Sequence, residues 1–207
     1  MTKSLITVYN GTNHDLSVYI PDDKNFTSNR YHDDYTLLNP EITPAVVFPL
    51  QNPLSVNKIS FPPMHFDNLQ FSFPKSYVPQ SILESVFTYD CIVVSNQYAD
   101  FAKSGYYNAD FLDRIYTADK YVKDPNGRTI GITGFRRVTL PYNVSYYAYQ
   151  FEHGKKPSLA AAMMSLYLYQ NNPNQHEQAE AYKLYICINS EIQRRQQGVT
   201  GFNTSNM

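Results

Sequence analysis

Eight of the thirteen prolines fall between residues 39 and 81, and no other feature limits the fold as strongly. Proline has no backbone N–H to donate, and its ring obstructs a helix interior, so it is confined to helix starts, strand edges and turns. The β-type pieces between these prolines, AVVFPL, NKISF and LQFSF, are therefore predicted as edge strands or extended coil wrapped over a sheet. The centre of that sheet must come from the flanks.

In VYNGTNHDLSVYI, residues 8–20, Ile6, Val8 and Asn10 and then His14, Leu16, Val18 and Ile20 share one parity. Strand alternation sends one parity toward a core, so two strands around a five-residue turn are predicted, with Asn10 and His14 ending the apolar face. The polar run 21–38 is predicted as a mobile excursion. Further on, the apolar run YDCIVVSN reads as a buried strand and QYADFAK after it as a helical turn. This places Ser95 and Asn96 at the carboxyl end of a strand, where open sheets collect ligands. In YVKDPNGRTIGITGFRRV the tetrad Asp124, Pro125, Asn126, Gly127 predicts a hairpin turn. Parity then puts Arg136 on the face of Ile130 and Ile132.

From residue 141 the period changes. After the aromatic stretch PYNVSYYAYQF, Pro157 is expected at the first helical position of SLAAAMMSLYLYQ. NNPNQ breaks this helix, and a second follows with Ala181, Leu184, Ile188 and Ile192 as its apolar stripe. The fold predicted is α+β: a mixed, mostly antiparallel sheet with short helices, plus a C-terminal α-helical hairpin. The boundaries are a core domain at 1–140, the hairpin at 141–197 and a flexible tail at 198–207. A chain of 207 residues is long enough for one sizeable core and short for two.

Net charge is −1, yet residues 1–102 carry 5 basic and 10 acidic side chains, and residues 103–207 carry 12 and 8. No Lys/Arg run exceeds two, which argues against duplex nucleic acid as partner; a small anionic ligand needs only two or three cations. No apolar run approaches the ~18 residues of a membrane span. Cys91 and Cys187 sit in separate apolar runs and read as buried free thiols. A cytoplasmic protein of the host cell cytosol is expected, without cofactor.

The five His are dispersed and the two Cys are far apart, so no metal site is expected. Neighbours on a strand face opposite ways, which keeps His14 and Asp15 from sharing a catalytic site. His14 reads instead as a staple, its ring bonding backbone groups of the turn, with Asn10 and Thr12 as turn satisfiers. No catalytic residue is assigned. A binding site is predicted from Asn10, Thr12, His14, Ser95, Asn96, Arg114, Tyr116 and Arg136, with Tyr98 and Tyr116 as rings able to stack a base. Arg137 and the pair Arg194, Arg195 are expected to be solvated.

Taken in order, Asn10, Thr12 and His14, then IVVS at 92–95 with Ala99, then DPNGRTIG at 124–131 resemble a group of small, functionally uncharacterised bacterial and phage proteins. That group opens with N-L-T-P-H-x-I and closes with D-x-x-G-R-I-x-G. Gly11 and Asn13 replace the usual Leu and Pro, and the helical tail is extra. The resemblance implies a phage or mobile-element origin and no particular reaction. Together with the residues above it gives the functional expectation of a non-enzymatic protein that sequesters a small, phosphate-bearing, nucleotide-derived signal of host immunity. Homo-oligomerisation through the C-terminal helices is expected. The alternatives are a protein-interaction module that inhibits a host factor or serves virion assembly, and a small phosphoester hydrolase.

Overall fold

The computed structural model describes residues 5–29, 34–51, 54, 57–60, 64–66, 69–71, 74–77, 86, 88–103 and 109–197. They fall into two compact units: a sheet unit from residues 8–88 and 92–138, and a helical unit whose described residues are 5–7, 89–91 and 139–197. The α+β class follows from the two together.

The first strands are β1 (Val8–Asn10), β2 (Leu16–Val18), β3 (Phe26–Asn29), β4 (Asp34–Leu37) and β5 (Val46–Phe48). The Pro-rich segment continues with β6 (Asn57–Ser60), β7 (Met64–Phe66), β8 (Leu69–Phe71) and β9 (Pro74–Tyr77), paired as β6–β9 and β7–β8 in two small sheets of their own. After them come β10 (Cys91–Val93), helix α1 (Asn96–Lys103), the short helix α2 (Ala109–Leu112), β11 (Ile115–Lys123) and β12 (Thr129–Arg137).

The main sheet has eight strands and runs β1-β10-β11-β12-β2-β5, with β4 also on β11 and β3 on β4. Its spine is the antiparallel β11–β12 hairpin, turned where Asp124 Oδ1 accepts the Asn126 and Arg128 N–H groups. Short parallel pairs flank it: β10 and β4 share one edge of β11, and β2 meets β12 at Ile132↔Val18. β5, from the Pro-rich segment, pairs only with β2 in this order, as an edge strand should.

The two ends of that order meet. Asn10 Nδ2 donates to Phe48 O at 3.0 Å, Gln51 N to Asn10 O at 3.3 Å and Leu54 N to Gly11 O at 2.9 Å. Residues 48–54 thus close against the end of β1, and β1 and β2 pair with β10 and β12 respectively, so those two strands do not form the simple hairpin that their alternation suggests. Closure is tight at residue 11, where a Cβ would stand 2.9 Å from Leu54 Cγ. Leu54 is buried and fills the space a side chain there would need, which gives Gly11 a packing reason.

The expectation of a mobile excursion at 21–38 is overturned for the described residues. Phe26 and Leu37 are buried with Tyr19 and Val122 in one core cluster, and Asp22 Oδ1 ties the turn by accepting the Lys24 and Asn25 N–H groups. Two well-placed apolar anchors outweigh a polar background, because burying each is worth about 1.5–3 kcal/mol. Residues 30–33, His32 among them, lie outside the described residues.

The helical unit has three helices where two were predicted: α3 (Val144–Glu152), α4 (Leu159–Asn171) and α5 (Gln178–Gln196). Asn143 caps α3 by accepting the Tyr146 N–H at 3.0 Å, so the aromatic stretch is itself helical. Ser158 caps α4, which leaves Pro157 just before the cap and not at the first helical position. The stripe Ala181, Leu184 and Ile188 is buried against Val144, Tyr147, Ala148 and Leu159, with Ile192 packed beside it. The apolar period of α5 is thus used inside the unit. Cys91 is a buried free thiol, whereas Cys187 is only half-buried.

Candidate functional site

Asn10 is fully buried, and all of its side-chain bonding capacity is used. Its Nδ2 donates to His14 O at 2.9 Å and to Phe48 O, and its Oδ1 accepts the Thr12 N–H at 3.1 Å. The Thr12 hydroxyl lies 2.7 Å from Asn10 Oδ1 and 2.9 Å from His14 O, and donates to one of them. The alternate-residue spacing of Asn10, Thr12 and His14 is therefore the wiring of the 11–15 loop. The role given to the His14 ring is corrected: its backbone carbonyl is the bonded group of the turn, while the imidazole is exposed and, among the described residues, hydrogen-bonds Asn13 Oδ1 at 2.8 Å from Nδ1.

That loop forms one wall of a cleft of about 310 Å³ in the sheet unit. Thr12, Asn13 and His14 line it together with Ser95 and Asn96, and Ala118, Tyr121, Ile130 and Ile132 add apolar surface. Gly131 also lines it; a Cβ there would stand 2.5 Å from Ser17 O, so glycine is what lets β2 and β12 approach. Ser95 and Asn96 follow β10 and open α1, with Ser95 Oγ accepting the Tyr98 N–H at 3.2 Å. Asn96, the first residue of α1, thus brings the positive end of the helix dipole to the cleft. Asp15 lines the cleft too, and its Oδ1 is held by the Leu50 N–H at 2.7 Å.

Of the eight residues predicted to bind, Thr12, His14, Ser95 and Asn96 line this cleft; Asn10, Arg114, Tyr116 and Arg136 do not. Asn10 lies beneath it as the scaffold. Arg114 and Tyr116 are buried, and so is Tyr98, which closes Tyr98 and Tyr116 to any stacking base. Arg136 does share a strand face with Ile132, yet its side chain is 65% exposed and pairs with Asp119 at 2.7 Å. The isoleucine face is covered at one end of β12 only, so an Arg at the other end reaches water without cost. Among the described residues, no Lys or Arg lines the cleft. Tyr121, 39% exposed on its wall, was missed because strand parity gave no reason to single it out.

Three arginines expected in solvent are tied down. Arg137 pairs with Asp113, both side chains buried, and Arg194 holds Glu191 at 2.6 Å. Arg195 reaches Asp90 in the helical unit, with Nη1 at 2.5 Å from Oδ2 and Nη2 at 3.2 Å from Oδ1. Asp90 also accepts the Thr7 N–H, the Thr7 hydroxyl and the Leu159 N–H, while Ser158 Oγ donates to its carbonyl. Burial pushes the Asp90 carboxyl up, but Arg195 and the Thr7 and Leu159 N–H groups outweigh it and hold the carboxyl below its ordinary 3.8. Opposite balances leave the Cys187 thiol raised, by burial and by Glu152.

Among the described residues, no three His, Cys, Asp or Glu converge to hold a metal ion, and no helix is long and apolar enough to cross a membrane. No family model, curated protein or solved structure matches the chain.

Proposed function

We propose that this protein captures a small phosphate-bearing molecule of nucleotide type in the cleft of its sheet unit and releases it unchanged. The observation that carries the reading is the meeting of the 11–15 loop with the β10–α1 junction around one cleft. Its volume sits at the lower end of the ~300–1,000 Å³ typical of ligand pockets, a size suited to a mononucleotide unit. With no cation among the described residues of its lining, the anionic group is assigned to the start of α1 at Asn96 and the Ser95 hydroxyl, as helix starts accept phosphate elsewhere. His14 and Asp15 line the same cleft, but the Asp15 carboxylate is bonded to Leu50 N–H, so the pair is not arranged as base and orienter. Given the resemblance to phage proteins, sequestration of a nucleotide-derived signal of host immunity is the role that fits capture without chemistry.

One observation favours a second reading, a protein-contact role. Tyr182, Tyr185 and Ile186 of α5 and Tyr167 and Leu168 of α4 are large and exposed, and aromatic side chains of this kind are enriched at interfaces. The test for both is to incubate the protein with a panel of mononucleotides and cyclic nucleotides, isolate it, heat it and identify what is released. Intact nucleotide is the expected result. A hydrolysis product would make the protein a phosphoesterase, and no uptake at all would leave the protein-contact reading.

A further inference from the structure

β11 carries a backbone distortion beside the cleft, which its residues Ala118 and Tyr121 both line. Between them Lys120 has φ +38° and is the only non-glycine residue with positive φ among those described. The left-handed region is unfavourable for a residue with a Cβ, and such outliers persist where the surrounding structure imposes them, often at binding sites. The register on either side is intact, Asp119↔Gly134 before and Tyr121↔Ile132 after. The pairing shifts only farther on, between Val122 and Lys123, and the residue that follows Lys120 is Tyr121. Its phenol side chain is half-exposed, and it lines the same cleft as the 11–15 loop and the β10–α1 junction.

We infer that Tyr121 is the platform on which a planar ring of the ligand stacks, so that the cleft selects a nucleobase-bearing phosphate over a sugar phosphate. This rests on the proposed capture function and names what it recognises. Stacking on an exposed ring suits any base, because every base offers a π-face. The strained residue then has a purpose: the backbone at Lys120 sets the ring's position before the ligand arrives.

The experiment compares AMP with ribose 5-phosphate by calorimetric titration of the full chain. The parent is expected to prefer AMP by about tenfold or more. Tyr121→Phe should keep that preference, and Tyr121→Ala should bring AMP down to the level of ribose 5-phosphate without weakening the latter. The chain contains no Trp, so Tyr121→Trp introduces a single indole whose emission should fall when adenine stacks on it and stay constant with ribose 5-phosphate. Lys120→Val, which disfavours positive φ, should lower AMP affinity while Lys120→Gly retains it. A parent that binds both ligands equally, or a Tyr121→Ala protein that still prefers AMP, overturns the stacking platform and leaves capture standing. Uptake of neither ligand by the parent removes capture and platform together.

Discussion

Asn10 in the sheet unit and Asp90 in the helical unit are both almost fully buried polar side chains that hold distant segments together. They do it by different chemistry. Asn10 is neutral, and three of its four bonds stay within four residues of itself; only the bond to Phe48 O reaches across the sequence. Asp90 is an anion whose partners lie 83 residues before it, at Thr7, and 105 residues after it, at Arg195. A neutral hub is satisfied by geometry alone. A charged one also needs its counter-charge, and this makes it costlier to break and sensitive to acid.

The largest effect should come from Asp90→Ala. It leaves the Arg195 guanidinium facing Leu5 O and Glu191 without its main counter-ion, and breaking one side of a buried pair costs about 3–5 kcal/mol. Urea denaturation of parent and variant measures it, and Asp90→Ala combined with Arg195→Met should recover part of the loss. The acid response follows the same logic. Because the folded carboxyl is held below 3.8, Asp90 adds stability in full above that value, and the addition is lost as pH falls through its folded pKa. Melting curves from pH 7 down to pH 2 should therefore drop more steeply for the parent than for Asp90→Asn. Equal slopes would show that the two hubs do not differ in the way their charges imply.

Asn10→Ala comes next. It removes the donor to the half-buried carbonyl of Phe48 and one donor to that of His14, for which about 1–3 kcal/mol is expected, with no change in the acid slope. A loss as large as that of Asp90→Ala would erase the distinction drawn here. The smallest effect belongs to His14→Ala. The imidazole is exposed and, among the described residues, bonded only to its neighbour Asn13, so stability should change by no more than a surface substitution does, about 0.5 kcal/mol, while nucleotide uptake falls. A strongly destabilised variant would return the ring to the role of staple.

The same contrast decides what could be read from the sequence. Asn10 and Thr12 were visible because their bonds are local, and Ser95 and Asn96 because a strand gives way to a helix between Val93 and Asn96. Arg195 was not visible: nothing near QRRQQ announces a carboxylate 105 residues earlier, and two adjacent arginines at a helix end look solvated. Arg136 shows the limit of parity, which gives the face of a strand correctly but not how far along it the cover extends. Tyr121 was not visible because no motif or stripe marks it out, and the left-handed backbone at Lys120 beside it has no signature in the sequence. Phe26 and Leu37 were hidden by their polar neighbours, although two anchors sufficed to draw β3 and β4 into the sheet.

The 105 residues between Asp90 and Arg195 also set a schedule. A ribosome adding roughly 5–20 residues per second makes Asp90 and then needs about 5–20 s more before Arg195 exists. For that interval the carboxylate has Thr7, and later Leu159, to accept from, but not the Arg195 guanidinium. A chain interrupted before residue 195 lacks the cation that this anion pairs with.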